Sequence, residues 1–254
     1  MKRLILTGVL GLAAGMTLPL AQAQKGLVVN TKSQGESQAV IALMQAQQAG
    51  PDAEIKAAED LITKYSDTYY KETALVIEAN AYQQKGDQAR AQVYGEQVLK
   101  VNPKNFQVPN MLGTLIVQQT HEHDLDRDDK LASAQKYFNL TLDDLKSAEK
   151  PNKQMSDEQW TQAKKYLTAE AHNGLGLVEL DKKSFDSAIA EFKSATDDAP
   201  DEPAFQVRLA SAYMQGGKNA EAIAVCDKLL ANPQLNAQIR QVAQNIKAAS
   251  SAKK

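Results

Sequence analysis

The sequence has little of what a disulfide-bonded domain or a β-sheet needs. Its 254 residues include one cysteine, Cys226, so no disulfide can form within the chain and packing alone must hold the fold. Aromatic residues make up 6% of the chain, and no stretch of alternating apolar and polar residues is long enough to predict a strand. Ala, Gln, Lys, Leu and Glu are abundant, and these residues lose little side-chain entropy in helices. The composition therefore predicts an all-α protein.

Motifs for catalysis and cofactor binding are also missing. The chain has three histidines and no GxSxG, HExxH or CxxC sequence. Gly174 and Gly176 resemble two glycines of a dinucleotide loop, but the third glycine and a preceding strand are absent, so we interpret them as a close helix contact. Cys226 lies on the apolar side of its predicted helix and is predicted to be buried. We expect no enzymatic activity and no cofactor.

Strong charge of either sign is lacking as well. The formal net charge is −2, which gives no electrostatic case for binding nucleic acid or an anionic membrane surface. The expected partner is therefore a protein or peptide, and the sequence does not indicate an oligomeric state.

The first 23 residues have the order of a secretory signal peptide. Residues 1–3 are Met-Lys-Arg, residues 4–20 are mostly apolar, and residues 21–23 are Ala-Gln-Ala, the small-x-small pattern that a signal peptidase accepts. We predict cleavage after Ala23, which removes two basic residues and moves the formal charge to −4. The predicted location is the bacterial periplasm, with secretion as the alternative, and no membrane insertion of the mature chain is expected. Residues 24–35 are predicted to be a flexible segment.

A repeat runs through the C-terminal part of the chain. In residues 171–200 and 205–233, Ala188 and Ala222 are 34 positions apart, as are Leu175 and Leu209. Each segment predicts a helix, a short polar turn, a second helix and an exit marked by proline. Small residues let the two helices of a pair approach closely, and larger ones fill the space between neighbouring pairs. Since one pair cannot bury its apolar face alone, pairs of this kind stack.

This pattern resembles the tetratricopeptide repeat family. One copy matches at Leu209-Ala210, Tyr213, Ala222 and Pro233, and another at Leu175-Gly176, Ala188, Phe192, Ala195 and Pro200. Glu179 and Cys226 depart from the family pattern, which has a tyrosine and an aromatic residue there. The resemblance implies a right-handed superhelical solenoid of helix-turn-helix pairs that binds a protein or an extended peptide along its concave face.

We predict about five such pairs and a C-terminal capping helix. The pairs span about residues 36–66, 70–103, 106–148, 157–200 and 203–233, followed by a cap at 235–249 and a disordered tail at 250–254. Ser156 and Gln159 form a capping box that starts the fourth pair, and whether its first helix continues to Leu180 is left open. About nine extra residues, Thr120 to Asp129, are inserted in the turn of the third pair.

The resemblance also implies which residues line the binding groove, because the inner side of each first helix forms the concave face. These groove residues are Thr73, Asn80, Gln83, Gln84, Asn110, Thr114, Gln118, Asn173, Leu177, Asp181, Val207, Ser211, Met214 and Gln215. Asn and Gln side chains offer a donor and an acceptor each, which suits a peptide backbone. The paired basic residues with which some chaperone-binding members hold a C-terminal carboxylate are absent. A set of side chains that are merely solvated is the alternative.

Residues 121–129, His-Glu-His-Asp-Leu-Asp-Arg-Asp-Asp, carry the candidate metal ligands His121, His123, Asp124, Asp126 and Asp128. The aspartates alternate as at the start of a calcium loop, but Asp129 stands where glycine is needed and Gln135 where a glutamate belongs. We interpret the segment as a solvated loop whose acidic residues cap the next helix. The sequence therefore predicts a non-enzymatic interaction scaffold of the bacterial cell envelope. Metal or envelope-polymer binding at this loop is the alternative function.

Overall fold

The computed structural model describes residues 30–151 and 154–252. Within these residues it has eleven α-helices and no strand, which confirms the all-α prediction of a helical repeat protein. No helix in this part of the chain is both long and apolar enough to cross a membrane. The predicted signal peptide and residues 24–29 lie outside the described residues.

The chain divides into two compact units at the start of the fifth helix, and the first unit covers described residues 30–108. It contains α1 (Gln34–Ala46), α2 (Pro51–Lys64), α3 (Lys71–Gln84) and α4 (Gln88–Val101). Val40 and Leu43 of α1 pack against Ala58 and Leu61 of α2 and against Ala74 and Ile77 of α3. One core therefore joins the first pair to the first helix of the second pair, as stacked pairs require.

The second unit covers residues 109–252, apart from 152–153. Its helices are α5 (Val108–Gln119), α6 (Arg127–Ser147), α7 (Asp157–Asp181), α8 (Phe185–Asp198), α9 (Pro203–Gln215), α10 (Asn219–Leu230) and α11 (Ala237–Ser251). Three helix pairs and a terminal helix follow one another. The predicted right-handed superhelix concerns the whole chain and stays a prediction.

Two buried phenylalanines fill the spaces that small residues leave between helices. Phe138 of α6 lies against Gly113 of α5, where an added Cβ would come within 2.8 Å of its ring, and it also contacts Gly174 of α7. Phe192 of α8 lies equally close to Gly176, at 2.6 Å from such a Cβ. The interpretation of Gly174 and Gly176 as helix-contact residues is confirmed.

The turns inside three of the pairs share one backbone feature. The second residue after the first helix has a positive φ at Gly86 (76°), Lys183 (61°) and Gly217 (77°). Glycine adopts this conformation without the steric cost that a Cβ brings. Lys183 bears that cost in the turn between α7 and α8, where the other two pairs have glycine.

The first helix of the fourth pair is one continuous helix of 25 residues, α7, which answers the question that the sequence left open. Its capping box is confirmed, because the Gln159 backbone N–H donates to the Ser156 hydroxyl at 3.1 Å, and the Ser156 N–H donates to Gln159 Oε1 at 2.9 Å. Two otherwise unpaired backbone N–H groups are thereby satisfied. The helix thus extends about three turns before the repeat register that begins near Ala169.

The turn of the third pair is shorter than the insertion that the sequence predicted. Its second helix, α6, begins at Arg127 rather than near Leu131 and runs for 21 residues. Only residues 127–129 of the predicted insertion are therefore helical, and residues 120–126 form the turn. The Lys130 ammonium lies 2.9 Å from Asp126 and 3.0 Å from Asp124, which ties the start of the helix to the loop.

The terminal helix α11 covers the last pair. Ala243 and Ile246 of α11 form one cluster with Ala222, Cys226 and Leu229 of α10. The helix continues through Ser251, whose neighbour Ser250 is buried. The predicted boundary at residue 249 was therefore wrong for residues 250 and 251, because the helix continues through them and buries Ser250.

Candidate functional site

The site is built on α7 and α9, the first helices of the fourth and fifth pairs. Ala169 of α7, Ala195 of α8 and Phe205 of α9 form one buried cluster, and the Tyr166 ring centre lies 6.4 Å from that of Phe205. The side of α7 with Gly174 packs on α6 and the side with Gly176 packs on α8. The stripe of α7 between these two sides carries Asn173 and Leu177, and Leu177 also packs against the cluster that Ala188, Ile189 and Phe192 of α8 form.

Helical spacing identifies the residues on this stripe and on its counterpart in α9. We call this set the inner face: Asn110 on α5, Tyr166, Glu170, Asn173 and Leu177 on α7, and Ser211 and Gln215 on α9, with Arg208 beside it at the register position of Gly174. Asn173 is buried, Gln215 is exposed and the others are partly buried. The inner face is therefore a surface of mixed polarity rather than a solvated helix side or a dry core.

A group of charged side chains lies at one end of the inner face. Burial raises the pKa of the Glu170 carboxyl to about 7, the nearby charge of Glu202 raises it further, and Arg208 opposes the rise. Burial likewise lowers the pKa of the Arg208 guanidinium, against the attraction of Glu202 and Glu170. The carboxyl groups of Glu170 and Glu202 thus both interact electrostatically with the partly desolvated guanidinium of Arg208.

Tyr166 belongs to the same group. Burial, followed by the charges of Glu170 and Glu202, raises the pKa of its hydroxyl to about 12. The phenol is therefore neutral at physiological pH and can donate a hydrogen bond.

Two asparagines occupy equivalent positions in successive pairs. Asn110 and Asn173 each lie three residues before the contact glycine of their helix, Gly113 or Gly176. In both, the side-chain oxygen Oδ1 is buried and accepts no hydrogen bond from the described part of the protein. A buried acceptor without a donor costs about 1–3 kcal/mol, so a donor from a bound molecule would recover that cost.

The predicted groove residues of the first unit lie at the surface of α3. Thr73, Asn80 and Gln84 are exposed, and Gln83 is partly buried. Their role in binding stays a prediction.

Several predicted groove residues of the second unit are engaged within the protein. The Thr114 hydroxyl donates to the Asn110 carbonyl at 2.9 Å, and the Asp181 carbonyl accepts from the Arg127 guanidinium. Gln118 is partly buried. Val207 and Met214 pack on the cluster of α10 and α11, because the capping helix covers that side of α9. Val207 is therefore buried and offers little surface to a ligand, Met214 is partly buried, and their role in binding stays a prediction.

Sequence reasoning did not identify Tyr166, Glu170 and Arg208 as groove residues. The signal for the first two was the stripe that runs back from Leu177 through Asn173, at helical spacing, into the extended start of α7. Arg208 gave no such signal, because its register position is that of Gly174, which packs on the preceding second helix. Glu170 and Arg208 are charged, whereas the predicted groove residues include one charged side chain, Asp181.

The acidic loop does not gather its candidate ligands. Within the described residues, no group of three or more His, Cys, Asp and Glu side chains is placed to hold a metal ion. The Asp124 carboxylate instead accepts from the His121 backbone N–H and from Lys130, both at 3.0 Å. Asp126 precedes α6 without capping its backbone, and Asp128, His121 and His123 are exposed. The expected solvated loop is present, but the side-chain cap is not.

Cys226 is buried between α10 and α11, as predicted. Burial raises the pKa of its thiol to about 11, which disfavours the reactive thiolate. The residue packs as a small apolar side chain.

Family comparisons agree with this geometry. Tetratricopeptide repeat models match residues 73–105 and residues 179–246, which include the second pair and the last pair with most of the cap. The chain is a tetratricopeptide repeat protein. No curated protein sequence matches it.

Solved structures of other repeat proteins share the fold of this tetratricopeptide repeat protein. MamA of Desulfovibrio magneticus RS-1 is 14% identical, with a TM-score of 0.60, and the match covers 85% of this chain and 98% of MamA. PilW, a type IV pilus biogenesis factor, is 17% identical, with a TM-score of 0.58 and coverage of 87% and 91%. A thermophilic TPR protein of Thermus thermophilus is 18% identical, with a TM-score of 0.56 and coverage of 83% and 98%. At these identities the likeness concerns the fold alone.

Proposed function

We propose that this tetratricopeptide repeat protein is a non-enzymatic scaffold of the bacterial cell envelope, which binds a protein or an extended peptide along its inner face. Tetratricopeptide folds serve protein–protein interaction in general. We infer the location in the cell envelope and the extended peptide ligand from this chain's own residues.

The observation that carries the proposal is the pair of unpartnered amide oxygens at Asn110 and Asn173. They recur at one register position in successive first helices, as a ligand that follows the repeat would require. An extended chain presents backbone N–H groups at regular intervals and can supply a donor to each.

The envelope setting is supported by the order of the first 23 residues, with a basic start, an apolar stretch and the small-residue site. Exported chains of this kind are cleaved, so the mature protein is proposed to start at Gln24 and to act in the periplasm.

Site-specific crosslinking tests the proposal. A photoreactive phenylalanine analogue replaces Ser211 on the inner face or, as a matched control, the exposed Ser187 of α8. In cells that produce the chain naturally, position 211 should give a discrete crosslinked protein band that position 187 does not give. Mass spectrometry of that band identifies the partner, and equal bands from both positions, or none from position 211, would contradict the proposal.

A further inference from the structure

A cleft of about 610 Å³ opens between α6, α7 and the end of α8, on another side of α7 than the inner face. Leu142 and Leu145 of α6 give it an apolar part, and Leu145 is buried. Thr168 and His172 of α7 also line it, and both are partly buried. Its volume is that of an ordinary binding pocket, so a leucine side chain fits together with the residues next to it.

Lysine side chains outnumber carboxylates along this cleft. Lys146 of α6 and Lys164 and Lys165 of α7 line it, together with Asp143 and Asp198. The Lys146 ammonium lies 2.7 Å from the Asp143 carboxylate, so these two charges compensate each other. Two lysines remain for one carboxylate, that of Asp198, and the cleft keeps an excess of positive charge. A matching occupant brings an apolar side chain that is flanked by negative charge.

The chain itself presents such a segment in the turn between α5 and α6. Leu125 is fully exposed there, and Asp124 and Asp126 flank it. Residues 121–130 contain five acidic and two basic residues, so the turn stays negative although Lys130 pairs with both of these aspartates. The His121 backbone N–H also donates to Asp124, at 3.0 Å, and thereby holds the turn in shape. A turn that is already ordered loses little conformational entropy when it binds.

We propose that Leu125 of one copy of the chain docks in the cleft of a second copy, where Asp124 and Asp126 meet the lysines of the cleft. The turn cannot reach the cleft of its own chain, because Arg127 and Leu142 are about 22 Å apart along the same helix, α6. Docking removes the exposed leucine and the apolar part of the cleft from water, and the opposite charges around them favour this orientation over others.

The turn and the cleft are different surfaces, so the contact is heterologous. A copy that docks its turn in a neighbour keeps an open cleft for the turn of a further copy. The protein should therefore associate head to tail, into a ring if the rotation between copies closes and into a linear chain if it does not. The inference goes beyond the proposed function and does not depend on it, since the inner face lies on another side of α7.

Sedimentation velocity of the purified protein at increasing concentrations tests the inference. The turn variant Leu125→Ser removes the apolar side chain, and the cleft variant Lys164→Glu/Lys165→Glu reverses the charge of the cleft. We expect the mean sedimentation coefficient of the wild-type protein to rise with concentration. Each variant alone should associate at least about tenfold more weakly, because one side of every contact between its copies is damaged. Circular dichroism checks that both variants keep the helical fold.

A mixture of the two variants is the decisive sample. The turn variant keeps an intact cleft and the cleft variant keeps an intact turn, so one undamaged contact can form between them. The equimolar mixture should therefore form dimers at the concentrations at which the wild-type protein first associates. It should stop at dimers, because the turn and the cleft that remain are both damaged.

Two controls change similar residues elsewhere. Val93→Ser removes another exposed apolar side chain, and Lys193→Glu/Lys228→Glu reverses two exposed lysines that do not line the cleft. Both should associate as the wild-type protein does. A wild-type protein that stays monomeric throughout, a turn or cleft variant that associates undiminished, or a mixture that forms no dimer would overturn the inference. In each of these cases the crosslinking test of the inner face still decides the proposed function.

Discussion

At the scale of single residues, Phe138 determines how closely the helices around it can approach. Its buried ring lies against Gly113 of α5 and Gly174 of α7, so neither position has room for a side chain. Alanine would favour the helix by about 1 kcal/mol over glycine, but the methyl group would meet a ring that is enclosed on both sides. The clash with the Phe138 ring should therefore outweigh the gain in helix propensity, and the substitution should destabilise the protein.

We expect Gly174→Ala to lower the free energy of unfolding by about 1–3 kcal/mol, as overpacking of a filled core does. Urea denaturation followed by circular dichroism measures the change. The double variant Gly174→Ala/Phe138→Leu is the control, because the smaller side chain makes room and should recover part of the loss. A Gly174→Ala variant as stable as the wild-type protein would show that the ring can move aside.

Gly174 also shows what the sequence could and could not predict at this scale. Two glycines two residues apart in a helical repeat already indicated a close helix contact, because nothing else favours glycine inside a helix. The influence of Glu202 and Arg208 on the pKa of Glu170 was not predicted, because Glu170 precedes the other two by 32 or more positions. The repeat register predicts which residues share one side of a helix, but it does not predict how deeply each of them is buried.

At the scale of helices, α11 performs the task that a further pair would perform elsewhere in the array. Its apolar side meets α10 at Cys226 and Leu229, and without it these side chains would be open to water. The sequence predicted this cap at residues 235–249, where Leu235, Ile239, Val242 and Ile246 recur at helical spacing. It did not predict that Val207 and Met214 pack in the cluster of α10 and α11, because the side of α9 that the cap covers depends on how α11 crosses the last pair.

The thiol of Cys226 reports on this contact. We expect Ile246→Ala to cost about 2–4 kcal/mol of stability, because a buried side chain is shortened to a methyl group. It should also raise the rate at which Cys226 reacts with an aromatic disulfide reagent by at least about tenfold, since opening of the cap becomes easier. Absorbance of the released thiolate measures that rate in native buffer.

Gln244→Ala, an exposed change on the same helix, is the matched control and should leave the rate unchanged. If Ile246→Ala lowers stability but Cys226 reacts no faster, some element other than α11 shields the thiol.

At the scale of the whole molecule, two sets of carboxyl groups give stability a maximum on the acidic side of neutrality. Burial raises the pKa of Glu54, Glu78 and Glu170, and for Glu78 and Glu170 it reaches about 7. Such groups hold protons more tightly in the folded state, so their contribution is complete below about pH 4.5 and is lost as the pH rises through 7.

The second set has the opposite sign. Hydrogen bonds and nearby lysines lower the pKa of Asp60 and Asp157, and the His121 backbone N–H and Lys130 lower that of Asp124. These groups stabilise the fold while ionised, so stability falls as the pH drops below their ordinary range near 4.

We therefore expect the urea midpoint to be highest between about pH 4.5 and pH 6 and to fall steadily towards pH 8. Glu78 should account for much of the fall, because it is 1% exposed and only the Tyr94 hydroxyl, which donates to its carboxylate, offsets the cost of burial. Glu78→Gln should raise the free energy of unfolding at pH 8 by about 2 kcal/mol and change it little at pH 4.5.

Glu149→Gln, an exposed change of equal charge, is the control and should leave the pH dependence of the urea midpoint unchanged. A midpoint that rises from pH 5 to pH 8 in the wild-type protein would mean that Glu78 and Glu170 are ionised in the folded state at little cost.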